Sequence, residues 1–366
     1  MVKPPAYIST LSPYVPGKPV DELEREIGIK DSVKLASNEN PLGPSPKALR
    51  AVINSLHDPN TSNSINRYPD GSGYYLKKAL SDRLSLGDDE LILGNGSNEL
   101  IDIAVRTFLR PGDEAVMAHP SFVVYPMSVQ ALGGKPVQIP LRKYTHNLEA
   151  MADAITQKTK MLFIANPNNP TGTINKRNEF DRFLEKIPEG ILIVVDEAYY
   201  EYVTDPDYAD SIKHFRNGKD MLILRTFSKI YGLAGLRIGY GIARTDILLE
   251  MNKLRPPFNT NSLAQKAAIH ALQDDTHVRY SQEINEKGKK YLYKKLTSLK
   301  VRYIPTEANF ICMLMGEDAY VLYNKMLRHG VIVRPVGPQE IRVTIGLPEE
   351  NKRFIEALKT VMRKVL

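Results

Sequence analysis

Tryptophan is missing from this chain of 366 residues, and cysteine occurs once, as Cys312. One thiol closes no internal disulfide, which excludes a disulfide-stapled scaffold. Cys312 lies in the apolar run 308–314 and reads as a small core residue. No apolar run approaches the ~20 residues that span a bilayer, so no membrane partner is expected. The opening Met1-Val2-Lys3-Pro4-Pro5 has no apolar stretch of the secretory kind, and a reducing cytoplasm is the expected location. Internal repeats and low-complexity tails are absent. The formal net charge is +7, from 49 Lys and Arg against 42 Asp and Glu. These charges are dispersed, with no basic run interleaved with aromatics, so anionic small molecules fit better than nucleic acid. The short cluster Lys287-Gly288-Lys289-Lys290 reads as a solvated helix face. No metal is expected.

The length is comfortable for two domains, and the 42% hydrophobic and 25% charged contents are those of a globular chain. Residues 1–30, rich in proline and tyrosine, read as an extended arm followed by a helix around 20–27. From Leu91 onward strands and helices alternate: a strand at 91–93, a tight turn Gly94-Asn95-Gly96-Ser97, a helix over 98–109, a strand at 114–117. Such alternation predicts a mostly parallel sheet with right-handed crossovers. The pattern breaks at Pro256-Pro257-Phe258-Asn259. One long helical stretch, 262–298, then leads to strands at 308–314, 331–334 and 341–345. The expected division is an arm (1–30), a contribution to a small domain (31–50), a large α/β domain (51–262) and a smaller α+β domain (263–366).

Three evenly spaced apolar runs, 161–165, 191–195 and 221–224, each end on reactive residues. They run into Asn166-Pro167-Asn168-Asn169-Pro170-Thr171-Gly172, Asp196-Glu197-Ala198-Tyr199 and Arg225-Thr226-Phe227-Ser228-Lys229. Parallel strands deliver such residues to one edge, where ligands bind. An amine such as Lys229 forms a Schiff base with an aldehyde cofactor, and a carboxylate such as Asp196 pairs with a pyridinium nitrogen. Tyr199, and Asn169 on its proline-fixed turn, are placed to hydrogen-bond a ring oxygen. Phe122, after another strand, offers a face to stack on a flat ring. Thr226, Ser228 and Arg237 suit a phosphate, as does the helix start at Gly96, Ser97 and Asn98. The Gly94–Glu99 segment partly imitates a dinucleotide fingerprint, but its sixth residue is Glu99 and no acidic residue ends the next strand. Each motif alone also fits an ordinary turn or helix cap; together they point to one site.

This set resembles the fold-type I pyridoxal phosphate aminotransferases over almost the whole chain. Within that superfamily it is most similar to the histidinol-phosphate aminotransferase family, through Asn38-Glu39-Asn40-Pro41, Arg67-Tyr68-Pro69-Asp70, Asn168-Asn169-Pro170-Thr171-Gly172, Thr226-Phe227-Ser228-Lys229, Val333-Arg334-Pro335 and Ile341-Arg342-Val343-Thr344-Ile345-Gly346. The resemblance implies a large domain with a mostly parallel seven-stranded sheet flanked by helices, plus a smaller α+β domain. It implies pyridoxal 5'-phosphate as cofactor, Lys229 as the Schiff-base lysine, Asp196 at the ring nitrogen, Tyr199 and Asn169 at the ring oxygen, and Phe122 over the ring. Gly96, Ser97, Asn98, Thr226, Ser228 and Arg237 would hold the cofactor phosphate, with Tyr68 reaching the phosphate of a neighbouring subunit in a homodimer. Arg342 would bind a substrate carboxylate, with Asn38, Tyr14 and Arg334 also facing substrate. Relatives with the same pattern act on aromatic amino acids or decarboxylate phosphothreonine, and both readings stay open at this point, as does that of a noncatalytic binding relative.

Overall fold

The structure is a computed structural model that describes residues 2–57, 65–316 and 318–363. Seven strands form the main sheet, in the order Leu91–Gly94, Gly239–Ile242, Met221–Thr226, Leu192–Asp196, Thr159–Ala165, Glu114–His119, Lys135–Pro140. All neighbours are parallel except Gly239–Ile242, which runs antiparallel to both of its own. The central strands Met221–Thr226 and Leu192–Asp196 are buried along their whole length, as continuous apolar runs of a doubly covered sheet must be. Their side chains alternate between two layers. Phe163, Val194 and Leu222 meet Leu100 and Ala104 of the helix Ser97–Phe108. On the opposite face Leu162, Ile164 and Ile193 meet Phe180, Phe183 and Leu184 of the helix Arg177–Lys186.

A second sheet is antiparallel throughout, in the order Arg334–Pro335, Glu340–Thr344, Phe310–Leu314, Arg302–Ile304. Its core draws Leu322 and Met326 from the helix Ala319–Leu327, Phe354 and Leu358 from Pro348–Arg363, and Leu292 and Leu296 from Asp275–Ser298. The short strand Val33–Lys34 pairs in parallel with Val331–Ile332, and the Leu35 carbonyl accepts from the Thr344 N–H at 2.8 Å. These bonds carry the segment around Asn38 to the end of the second sheet.

Several expectations are corrected. The stretch 262–298 is two helices, Ser262–Leu272 and Asp275–Ser298. The Asp274 carboxylate accepts from the His277 N–H and starts the second helix, a cap that competes with continuing the first. The arm is not wholly extended: Ala6–Ser9 is a single helical turn, and the Gln130 amide donates to the Tyr7 carbonyl and to Thr10 Oγ1. Lys289 is no part of a solvated face; it is buried, and its ammonium pairs with Glu286. Gly239–Ile242 is a full strand, to which the sequence reading assigned no element. Its glycines exist for packing, since a Cβ at Gly241 would stand 3.0 Å from both Ile92 and Leu222 side chains. Cys312 is buried as expected, and burial pushes its thiol up to about 12.

Directly behind the reactive strand ends lies a buried ion pair. Glu197 is fully buried; its Oε2 accepts from Arg225 Nε at 2.9 Å and lies 2.8 Å from Arg225 Nη2 as an ion pair. The guanidinium also lies 3.7 Å from the centre of the Tyr200 ring. Losing one partner of such a pair leaves a buried charge and costs about 3–5 kcal/mol, so this is a structural support of the site rather than an open reagent.

Candidate active site

The register pairs Ala165 with Asp196 and Asp196 with Leu224, so three parallel strands end at one edge. Above that edge an open cleft of about 1510 Å³ is lined by Tyr14, Asn38, Ser97, Asn98, Phe122, Asn169, Asp196, Tyr199, Thr226, Ser228, Lys229, Arg237, Arg334 and Arg342. Two of the expected residues stand apart. Gly96 sits behind the lining, where its missing Cβ leaves room for Arg237. Tyr68 lies away from the cleft of its own chain, 78% exposed and stacked on Phe258 with ring centres 4.6 Å apart.

Lys229 follows the strand Met221–Thr226. Its Nζ donates to the Ser37 carbonyl at 3.2 Å and lies 5.7 Å from the centre of the Tyr199 ring. Burial, helped by the Arg342 and Arg237 cations, brings its amine down to about 8. Desolvation penalises the charged ammonium, and neighbouring cations add repulsion. Asp196 is buried; its Oδ2 accepts from the Tyr125 hydroxyl at 2.7 Å and its Oδ1 from the Ala198 N–H at 3.1 Å. Burial pushes its carboxyl up, and those two bonds pull the other way. The Tyr199 hydroxyl accepts from Asn38 Nδ2 at 2.8 Å, and burial pushes this phenol up as well. Asn38, at a φ of 55°, is fixed on both sides: its N–H donates to Thr344 Oγ1, and its carbonyl accepts from Asn309 Nδ2.

The far wall belongs to the second sheet, where Arg334 and Arg342 stand opposite each other in register. Arg342 is buried; Nη1 donates to Asn169 Oδ1 and Nη2 to the Ala36 carbonyl, both at 2.6 Å. Its Nε is buried without a hydrogen-bond partner among the described residues. The Arg334 guanidinium sits 5.5 Å from the centre of the Tyr14 ring.

Opposite that wall is an anion cradle. The helix Ser97–Phe108 begins after Gly96, at a φ of 78° and with no side-chain cap, so first-turn N–H groups face the cleft unused. A Cβ at Gly96 would come within 2.4 Å of Arg237 Nη2, and one at Gly239 within 2.5 Å of the Ser97 nitrogen. Arg237 Nη1 donates to the Ala234 carbonyl at 3.0 Å and lies 3.4 Å from Ser228 Oγ. Helix start, hydroxyls and guanidinium together suit a monophosphate, and the flat space between cradle and Asp196 has Phe122 on its wall. Pyridoxal phosphate, with a phosphate, a basic ring nitrogen and an aldehyde for Lys229, fits this donor set.

Two site residues escaped the sequence. Tyr125, which holds Asp196, is fully buried, with its ring stacked on Phe163 and edge-on to Phe122; inside an apolar helix nothing marks it off from a core aromatic. Ser37 acts through its carbonyl, which carries no side-chain signature. Among the described residues no group of three or more His, Cys, Asp or Glu gathers to hold a metal, and no helix is long and apolar enough to cross a membrane.

Comparison with known proteins agrees with this geometry. The family described as Aminotransferase class I and II matches residues 30–358. A histidinol-phosphate aminotransferase of Moorella thermoacetica is 47% identical over 360 residues, covering 97% of this chain and 92% of that protein. Histidinol-phosphate aminotransferase 1 of Nitrosococcus oceani is 46% identical over 363 residues, covering 98% and 96%. Among solved structures, histidinol-phosphate aminotransferase from Sinorhizobium meliloti in complex with pyridoxal-5'-phosphate superposes with a TM-score of 0.91 at 26% identity, covering 100% of this chain and 99% of that one.

Proposed function

Because the chain belongs to the class I and II aminotransferases and is a pyridoxal phosphate-dependent enzyme of that family, we propose that it transfers the amino group between L-histidinol phosphate and 2-oxoglutarate, a step of histidine biosynthesis in the cytoplasm. The observation that carries the substrate is the pair of guanidiniums, Arg334 and Arg342, set in register beside Tyr14 at the wall facing Lys229. Two arginines suit a pocket that must take a phosphate from one substrate and carboxylates from the other, because a guanidinium binds both groups bidentately. Competing histidinol phosphate against phenylalanine and tyrosine with 2-oxoglutarate as common acceptor tests this. The expected result is a kcat/KM for histidinol phosphate at least ~100-fold above the aromatic amino acids. Parity would make the enzyme an aromatic aminotransferase, and carbon dioxide release without an acceptor would make it a decarboxylase.

When bound, the cofactor supplies an aldehyde carbon and an electron-withdrawing ring. Gly96, Ser97, Asn98, Thr226, Ser228 and Arg237 would hold its phosphate, Asp196 would face its ring nitrogen, Tyr199 and Asn169 its ring oxygen, and Phe122 its ring face. Asp196, steadied by Tyr125 and Ala198, keeps a negative charge where a cationic nitrogen needs it. Lys229 would be the proton carrier: its neutral amine would take the proton from the substrate carbon and give it up to the cofactor's aldehyde-derived carbon, two bonds away. An amine brought down to about 8 is near the operating range of a general base. Arg342 and Arg334 hold the substrate's anionic ends, and Asn38 sits against Tyr199 to fix that hydroxyl. Gly96→Ala places a Cβ into the Arg237 guanidinium at a backbone angle that favours glycine. It is expected to raise the cofactor Kd about tenfold or more, read by equilibrium dialysis; an unchanged Kd would remove Arg237 from the cradle.

The same reading includes a homodimer. Leu49, Ile53 and Leu56 make one exposed face of the helix Pro46–His57, and Tyr68, Tyr74 and Tyr75 are also exposed. An apolar face of this kind marks an interface, and a second copy there would let Tyr68 serve the neighbouring cleft. Sedimentation equilibrium is expected to give twice the 41.2 kDa chain mass, and Ile53→Asp to give monomers with little activity. A fully active monomer would overturn the role of Tyr68. The division into an arm, a large cofactor-binding domain and a small C-terminal domain belongs to the same proposal.

A further inference from the structure

The turn that carries Asn169 is held from below by its neighbour. Asn168 Nδ2 donates to the Pro120 carbonyl at 3.3 Å and to Thr171 Oγ1 at 2.9 Å. That leaves Oδ1 as the acceptor for Ser121 Oγ at 2.8 Å and for the ring nitrogen Nε2 of His146 at 3.0 Å. Turning the amide over would set its oxygen against the Pro120 carbonyl, so the hydrogen-bond pattern allows one orientation. His146 must then carry its proton on Nε2. It is 3% exposed, and its Nδ1 is buried with no partner. The small pocket on its other side is lined by Arg142, Arg182 and Lys186 together with Glu149 and Glu179, and burial draws the imidazole down to about 4. A second proton on Nδ1 would meet no acceptor there.

We propose that His146, as the neutral Nε2–H tautomer, is a positioning residue that fixes the Asn166–Thr173 turn through Asn168 and thereby aims the Asn169 amide at Arg342. Further contacts brace this turn and tie it to the C-terminal segment. The Asn168 N–H donates to the Thr173 carbonyl at 2.8 Å, and the Gly172 carbonyl accepts from the Glu307 N–H of the C-terminal segment at 2.8 Å. Ser121 precedes Phe122, the ring-face residue. His146 itself is anchored, since its carbonyl accepts from Asn175 Nδ2 at 3.0 Å. It touches neither substrate nor cofactor. Its effect reaches the cleft through the 2.6 Å bond between Asn169 Oδ1 and Arg342 Nη1. Slack in the turn therefore loosens Arg342, the group that the proposed function assigns to substrate carboxylates, on which the kinetic part of this inference rests.

Two measurements on the full chain test it. Long-range proton–nitrogen correlation on protein with labelled histidine, with His146 assigned through His146→Gln, is expected to show Nε2 protonated and Nδ1 bare near neutral pH. A proton on Nδ1, or an imidazolium, overturns the proposal, and this reading needs neither cofactor nor turnover. In steady-state kinetics, His146→Leu is expected to raise KM for 2-oxoglutarate about fivefold to tenfold, the worth of one hydrogen bond, with kcat within about twofold. His146→Gln, whose side-chain amide donates from nearly the same place, is expected to return KM to within about twofold of wild type. A His146→Leu enzyme with unchanged KM, or a folded His146→Gln enzyme with KM raised as far as in the leucine variant, overturns it. If the leucine variant does not fold, the glutamine variant and the tautomer decide. A wild type that turns over no 2-oxoglutarate would defeat the proposed function, while the nitrogen spectrum would still decide the tautomer.

Discussion

Lys229→Ala is expected to lower amino transfer by more than about 10⁴-fold while the protein still binds pyridoxal phosphate noncovalently. The side chain serves two purposes, covalent attachment and proton transfer, and the second alone is worth up to ~10⁴-fold. Nothing else in the cleft can substitute. Ser228 and Thr226 are hydroxyls beside the anion cradle, and the cleft's other cations are guanidiniums, which do not deprotonate. Stopped-flow measurement of amino transfer reads the loss, and dialysis reads the retained cofactor. Borohydride is expected to fix the cofactor to the wild-type peptide containing Lys229 and to leave the variant unlabelled. The pH dependence adds a check with a definite sign. The amine is brought down to about 8, so it is charged below and neutral above that value. Because only the neutral amine attacks an aldehyde, cofactor uptake by the cofactor-free protein is expected to quicken as pH rises through about 8. Transfer within tenfold of wild type in the alanine variant would remove Lys229 from the mechanism.

Asp196→Asn is expected to cost about 10²–10³ in kcat, the usual size of one preorganised electrostatic interaction. The substitution keeps shape and volume and one acceptor oxygen, so Tyr125 or Ala198 retains a partner, but it removes the negative charge. Burial pushes that carboxyl up, and the two donors oppose the push. The site therefore spends fold stability on keeping an anion where a cationic ring nitrogen is to lie. Pre-steady-state kinetics and the cofactor Kd separate the two parts of the loss. A change below threefold in kcat would argue that the ring nitrogen is held by something else.

How much of this was readable beforehand depended on whether a residue announces its job through its side chain and its place at a strand end. Lys229, Asp196 and Asn169 did, because each follows an uninterrupted apolar run and the three runs are evenly spaced. Tyr125 did not, because an inward-facing tyrosine on a helix looks the same whether its hydroxyl holds a carboxylate or fills the core. Lys289 misled, because a charge cluster on a long helix normally faces water; what buries it is the C-terminal segment folding back, with Gly288 against Ile345, a contact with no local trace. The break at Gln273–Asp274 was likewise hidden, since apolar residues continue on both sides and only the Asp274 cap separates the helices. The seven-stranded sheet was legible as a class. Its antiparallel member was not, because Gly-Tyr-Gly-Ile reads as a loop until the neighbouring strands require small residues there.

That antiparallel strand also sets when the enzyme can first acquire its cofactor. It pairs Gly94 with Gly239, joining a helix start translated early to an arginine translated some 140 residues later. A nascent polypeptide that has not yet emerged past Ile242 lacks the strand that pairs with Leu91–Gly94, and so lacks the ladder that holds the Gly96–Ser97 helix start beside Arg237. On the proposed phosphate assignment, the full grip would assemble only as the last third of the chain is made or after its release.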